Sequence, residues 1–116
     1  MVHGAKPVSF RHVVELPVGY EDPVSGELMR TAEVRAVTAG DEMAIGMSTE
    51  YNRYANDLIY KTLLLSRCVT KLGSRENITL NDVRKLHAQD MRVLEYEIYK
   101  LTYGEDAVPE PDGPSG

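Results

Sequence analysis

An α+β fold, with an N-terminal antiparallel β-hairpin followed by a small bundle of about four α-helices, is the architecture this sequence predicts. Two observations carry it: apolar residues alternate with a period of two up to residue 37, and recur at helical spacing from residue 39 onward. A third sets the domain count, because 116 residues suit one core. We therefore expect a single domain over 1–104, with its hairpin at 8–37 and its helical part at 39–104. A disordered, acidic, Pro/Gly-rich tail is expected at 105–116.

The first strand is expected over 8–18, with Phe10, His12, Val14 and Leu16 on one side and Arg11, Val13 and Glu15 on the other. Residues 19–26 (GYEDPVSG) are dense in turn formers. A second strand follows over 28–37, with Ala32, Val34 and Ala36 inward and Thr31, Glu33 and Arg35 outward. A hairpin alone is marginal in water, so helices must cover its apolar face.

Thr38 with Asp41 three residues on reads as a capping box, opening a short helix over about 39–48 that Gly40 and Gly46 weaken. A long central helix is expected from Tyr51 or Asn52 to Leu72. Leu58, Leu65, Val69 and Leu72 form its stripe, widened by Ala55, Ile59 and Cys68, and Gly73 stops it. Thr79 and Asp82 mark a third helix burying Leu80, Val83 and Leu86. Asp90 is expected to cap a fourth, with Met91, Leu94, Ile98 and Leu101 inward and Gly104 at its end. Prolines 109, 111 and 114 and four acidic residues leave the tail too little apolar surface to offset its ordering entropy.

Composition narrows function. The net charge is −5, and Glu105, Asp106, Glu110 and Asp112 place −4 of it in the tail, so the body lacks the basic stripe of a nucleic-acid binder. The longest apolar run is Leu63, Leu64, Leu65, far short of the ~20 residues of a membrane span, and Met1–Pro7 hold no apolar secretory h-region. Cys68 is the one cysteine, which excludes an internal disulfide and reads as a buried hydrophobe. His3, His12 and His87 have no metal-ligand spacing, and the carboxylates Glu15, Glu33 and Glu42 are scattered. No catalytic residue, metal or cofactor is expected.

Seven tyrosines stand against one phenylalanine and no tryptophan. They either roof the core with their hydroxyls in water or form a protein-binding face, tyrosine and methionine being enriched at interfaces. Met43, Met47, Tyr51 and Tyr54 are the candidate partner-binding patch.

Four segments, taken in order, resemble the tail assembly chaperones of Mu-like contractile-tailed bacteriophages. Glu15-Leu16-Pro17 leads to Val34-Arg35-Ala36-Val37-Thr38-Ala39-Gly40-Asp41-Glu42, which looks like the family's (L/V)R.(L/P)T..(D/E) segment. Leu64–Gly73 is similar to its L..RCVT.LG stretch. Ile78-Thr79 then opens the short helix, and Ala88-Gln89-Asp90 with Leu101-Thr102-Tyr103-Gly104 matches its closing D…L…LT.G pattern. The likeness spans roughly residues 12–106. It implies a non-catalytic protein of the bacterial host cytoplasm that binds the tape-measure protein, other tail proteins or another copy of itself while the tail tube assembles. It equally implies a second reading, a structural baseplate or hub subunit of a contractile tail or injection system that stays in the particle.

Overall fold

In the computed structural model, residues 11–104 are described, and strand β1 (Arg11–Glu21) pairs antiparallel with β2 (Leu28–Arg35) across the expected turn. The expected strand start at 8–10, Phe10, His3 and the tail at 105–116 lie outside the described residues. Helices α1 (Ala39–Gly46) and α2 (Thr49–Arg53) follow. Then come α3 (Asp57–Cys68), strand β3 (Val69–Leu72), α4 (Leu80–Arg84) and α5 (Ala88–Tyr103). The sheet order is β1-β2-β3. The α+β class is as expected, with a third strand added to the hairpin.

The expected central helix is in fact two helices and a strand. Ser48 caps α2 by accepting from the Tyr51 N–H, and Asn56 caps α3 by accepting from the Ile59 N–H. Two caps eight residues apart start two helices, and the chain between them is extended at Asn56 (φ −157°, ψ 169°). At the other end Val69 leaves helical geometry (φ −85°, ψ 110°) and the chain runs directly into β3. Val69 and Thr70 are β-branched and suit a strand. The Thr70 hydroxyl donates to the Glu33 carbonyl (3.1 Å) and to the Glu33 carboxylate (2.7 Å), fastening β3 to β2.

The helical spacing of Val69 and Leu72 has a structural cause. The β2–β3 register slips between Glu33 and Val34, so these two residues, three apart in a strand, both face the core. Sequence periodicity cannot distinguish that slip from a helical turn. Leu58 and Ala55, expected in the buried stripe, are exposed, whereas Leu63, Leu65 and Cys68 are buried. Gly73 does end its element, but after a strand. Its φ is +61° and its N–H donates to the Thr31 carbonyl (2.8 Å). A Cβ there runs into the Met29 side chain, so only glycine fits.

The core lies between one sheet face and the helices: Val14, Leu16, Tyr20, Ala32, Val34, Val69 and Leu72 from the sheet, with Leu65, Cys68, Val83, Leu94 and Ile98 from α3, α4 and α5. Leu80, Leu86, Met91 and Leu101 are half-buried at its rim. The opposite sheet face carries Arg11, Val13 and Glu15, with Arg11 paired to Glu33 at 3.0 Å. Burial raises the Cys68 thiol to about 11, Asp41 adding to the effect, so it is un-ionised packing as the sequence suggests.

Asp90 is not the cap of α5. His87 holds that position, its Nδ1 accepting from the Gln89 N–H at 3.1 Å. Asp90, fully buried one turn in, instead serves β1. Four residues there, 16–19, face the single Arg30 of β2 in a wide bulge that leaves ladder N–H groups without strand partners. Pro17 has no N–H, and the Asp90 carboxylate accepts from Val18 (2.9 Å) and Gly19 (2.8 Å). Gly19 has φ +107° and the Leu28 side chain 3.0 Å from where a Cβ would stand. Asp90→Ala orphans both N–H groups and is expected to lower stability by about 2–3 kcal/mol, read as a lower urea midpoint at constant m-value. Asp90→Asn keeps one acceptor and recovers part of the loss; an unchanged midpoint in the alanine variant contradicts this account.

Candidate functional site

Three carboxylates are buried, each in the first turn of a helix, and each is committed to the fold. Asp41 completes the capping box with Thr38 and takes the forked guanidinium of Arg35 at 2.7 and 2.9 Å, plus the Nε of Arg67 at 2.8 Å. Arg35, expected to point outward, is therefore turned onto a buried partner. Its hydrogen bonds hold the Asp41 carboxyl well below the ordinary range despite burial, which acts the other way.

Asp82 repeats the pattern with Thr79 and accepts from the Tyr20 hydroxyl at 2.8 Å, with Arg75 Nη1 at 3.1 Å. Arg75 Nη1 is also 3.8 Å from Asp22, and it is aligned for a hydrogen bond with neither carboxylate. Burial pushes Asp82 up, but the Thr79 N–H, Tyr20 and Arg75 outweigh it and its carboxyl is lowered. Tyr20 is raised to about 12, chiefly by burial and then by Asp82. No group of His, Cys, Asp and Glu among the described residues is placed to hold a metal. His12 faces α5, 3.5 Å from Glu97, and His87 is used as a cap.

The accessible chemistry is apolar and aromatic, and it lies along α3. On one flank an open cleft of about 670 Å³ separates α3 from α5, with Leu64, Leu65 and Ile98 in its lining. Tyr60 comes from α3, and Tyr96, Tyr99 and Tyr103 come from α5. The α5 tyrosines are 43%, 41% and 57% exposed, too much for a roof over a finished core. Tyr99 and Tyr103 pack at a centroid distance of 4.8 Å, and Lys100 Nζ sits 5.0 Å over the Tyr96 ring. The Val37 N–H donates to Thr102 Oγ1 at 3.0 Å, pinning the end of α5 to the chain leaving β2. Where α3 meets Arg92 and Glu95, Lys61 pairs with Asp57 (3.1 Å) and Glu95 (3.9 Å).

On the other flank of α3 a groove of about 500 Å³ is lined by Tyr54, Leu58, Ile59, Leu63 and Leu80. The four patch residues from the sequence are thus divided. Met43, on α1, and Met47, at its C-cap, are 65% and 76% exposed and line neither hollow. Tyr51 packs edge-on against Tyr60, with centroids 6.2 Å apart, on the cleft side. Tyr54, 65% exposed, belongs to the opposite groove. The sequence placed Tyr96, Tyr99 and Tyr103 along the last helix but not with Tyr60. Their spacing of i, i+3 and i+7 is the signal that sets them on one face.

Comparison with protein-family models, curated proteins and solved structures finds no match to this chain. No described helix is long and apolar enough to cross a membrane.

Proposed function

We propose that this protein is a non-catalytic holding protein for a helical client, acting as a phage tail assembly chaperone on the tape-measure protein, as its sequence resemblance implies. The observation that supports this reading is the tyrosine-lined cleft between α3 and α5. An amphipathic helix laid into a hydrophobic groove is a recurring recognition mode, and tyrosine supplies large contact area at low conformational cost. The three buried carboxylates are already engaged, Asp41 and Asp82 by capping boxes and arginines and Asp90 by the backbone N–H groups of β1.

The test is co-expression with a phage tape-measure protein. Tyr96→Glu with Tyr99→Glu, both on exposed positions, should abolish co-purification while the helical circular-dichroism signal persists. A folded double variant that still carries the client moves the interface off the cleft. Met47→Glu with Tyr54→Glu then reports whether the patch and the opposite groove contribute.

A baseplate or hub subunit is the second reading. Its support is that β1 is the outer strand of the sheet, with no described strand on its far side. The bulge at 16–19, with Pro17 lacking an N–H, interrupts that strand and confines strand addition to about 11–15. Mass spectrometry of purified particles separates the two readings, since only the subunit stays in the tail.

A further inference from the structure

We infer that the Glu42 end of the α3–α5 cleft is a receptor for one cationic side chain, a lysine or arginine flanking the apolar stripe of the bound helix. The inference rests on the client-binding reading of the cleft.

The charges of the cleft lining are unequally satisfied. At one end Asp57, Lys61, Arg92 and Glu95 neutralise one another through contacts of 2.8–3.9 Å. At the other end Glu42, exposed in α1, has no ion pair among the described residues. It shares that end with Val37, Thr102 and the rings of Tyr60 and Tyr103, and its charge is felt at Tyr60, whose hydroxyl is raised chiefly by burial and next by Glu42.

Aromatic rings beside a carboxylate attract a cation twice, through the ring quadrupole and through charge. Helix α5 already shows such a pairing, because Lys100 Nζ lies over Tyr96 and 3.3 Å from Glu97. At the Glu42 end the rings and the carboxylate are present and the ammonium is not supplied by a described residue. The tail offers none, since residues 105–116 contain acidic side chains and no basic one. Outside the described residues the one lysine or arginine of this chain is Lys6; the occupant inferred is instead the cation of the bound helix.

The probe is a labelled amphipathic peptide of about 20 residues, roughly 30 Å as a helix. It is built from leucine, alanine and glutamine, with a single lysine at one terminus or the other, and its control carries glutamine there. Fluorescence anisotropy should give the better lysine peptide a roughly three- to tenfold lower Kd than the control. Glu42→Gln should shrink that ratio towards one and leave the affinity of the control within about twofold, and Tyr103→Leu should shrink the ratio as well.

Lysine and control peptides that bind wild type alike overturn the cation site and leave the cleft reading standing. A lysine advantage that survives both variants puts the cation elsewhere and also overturns it. So does a lysine-peptide advantage that appears only after Lys6→Ala. Failure of every peptide to bind rejects the cleft reading underneath. Self-association by sedimentation that Tyr99→Glu dissolves assigns the cleft to a second copy, which again overturns the inference.

Discussion

Replacing Asp41 by alanine is expected to lower stability by about 3–5 kcal/mol, because it strands Arg35, a half-buried guanidinium, and removes the acceptor of the Thr38 N–H in the capping box of α1 in the same step. Against a total of about 5–15 kcal/mol for a domain of this kind, most molecules of the variant unfold under mild heating. Asp41 joins three elements: the end of β2 through Arg35, the start of α1 through Thr38 and, 26 residues on, the last turn of α3 through Arg67. Arg67 is 44% exposed, so its share of the loss is small and Arg35 carries most of it.

The same site fixes the sign of the pH dependence. Hydrogen bonds from Arg35 lower the folded-state pKa of Asp41, so its contribution is complete above the unfolded value near 3.9 and disappears as pH falls towards the folded one. Melting temperature should therefore be flat from about pH 7 to 5 and fall below about pH 4. Asp41→Asn should start lower and lose less on acidification. Some slope remains, because Asp82 is lowered as well and titrates in the same direction. A wild-type protein and an Asp41→Asn variant with parallel acid melting curves contradict this assignment.

How much of this was legible beforehand differs by element. The hairpin was, since alternation and a turn-rich tip are local properties. The capping boxes at Thr38 and Thr79 were too, because each is written in four consecutive residues. Strand β3 was not: its pairing with β2 lies almost forty residues away in sequence, and its register slip imitates a helical turn. Asp90 was assigned to a helix start, which is right to within three residues. Its partners in the β1 bulge are more than seventy residues distant, and no local signal names them. The cleft was half visible. Its tyrosines were on the page, but facing α3 against α5 is a tertiary fact, and of the patch Met43, Met47, Tyr51 and Tyr54 it set the two tyrosines on opposite sides of α3 and the two methionines beside neither hollow.

Two leucines of the same sequence stripe now separate by experiment. Leu65 is 1% exposed in the main core and also lines the cleft, while Leu58, the second residue of α3, is 56% exposed and lines the second groove. Leu65→Ala should cost about 2–5 kcal/mol, the loss of transfer energy plus whatever cavity its neighbours cannot close. Leu58→Ala should change stability by no more than about 0.5 kcal/mol, as substitutions at exposed sites do. Urea unfolding of both variants reads the difference directly as a separation of midpoints. Equal losses restore the single continuous helix from Tyr51 to Leu72, in which both residues face inward. An unchanged midpoint for Leu65→Ala places the core elsewhere. The Leu65 variant also bears on function, because its side chain is shared between core and cleft. If it stays folded at low temperature, it should bind the helical client more weakly than Leu58→Ala does, since only the former deepens and loosens the floor against which the client helix rests.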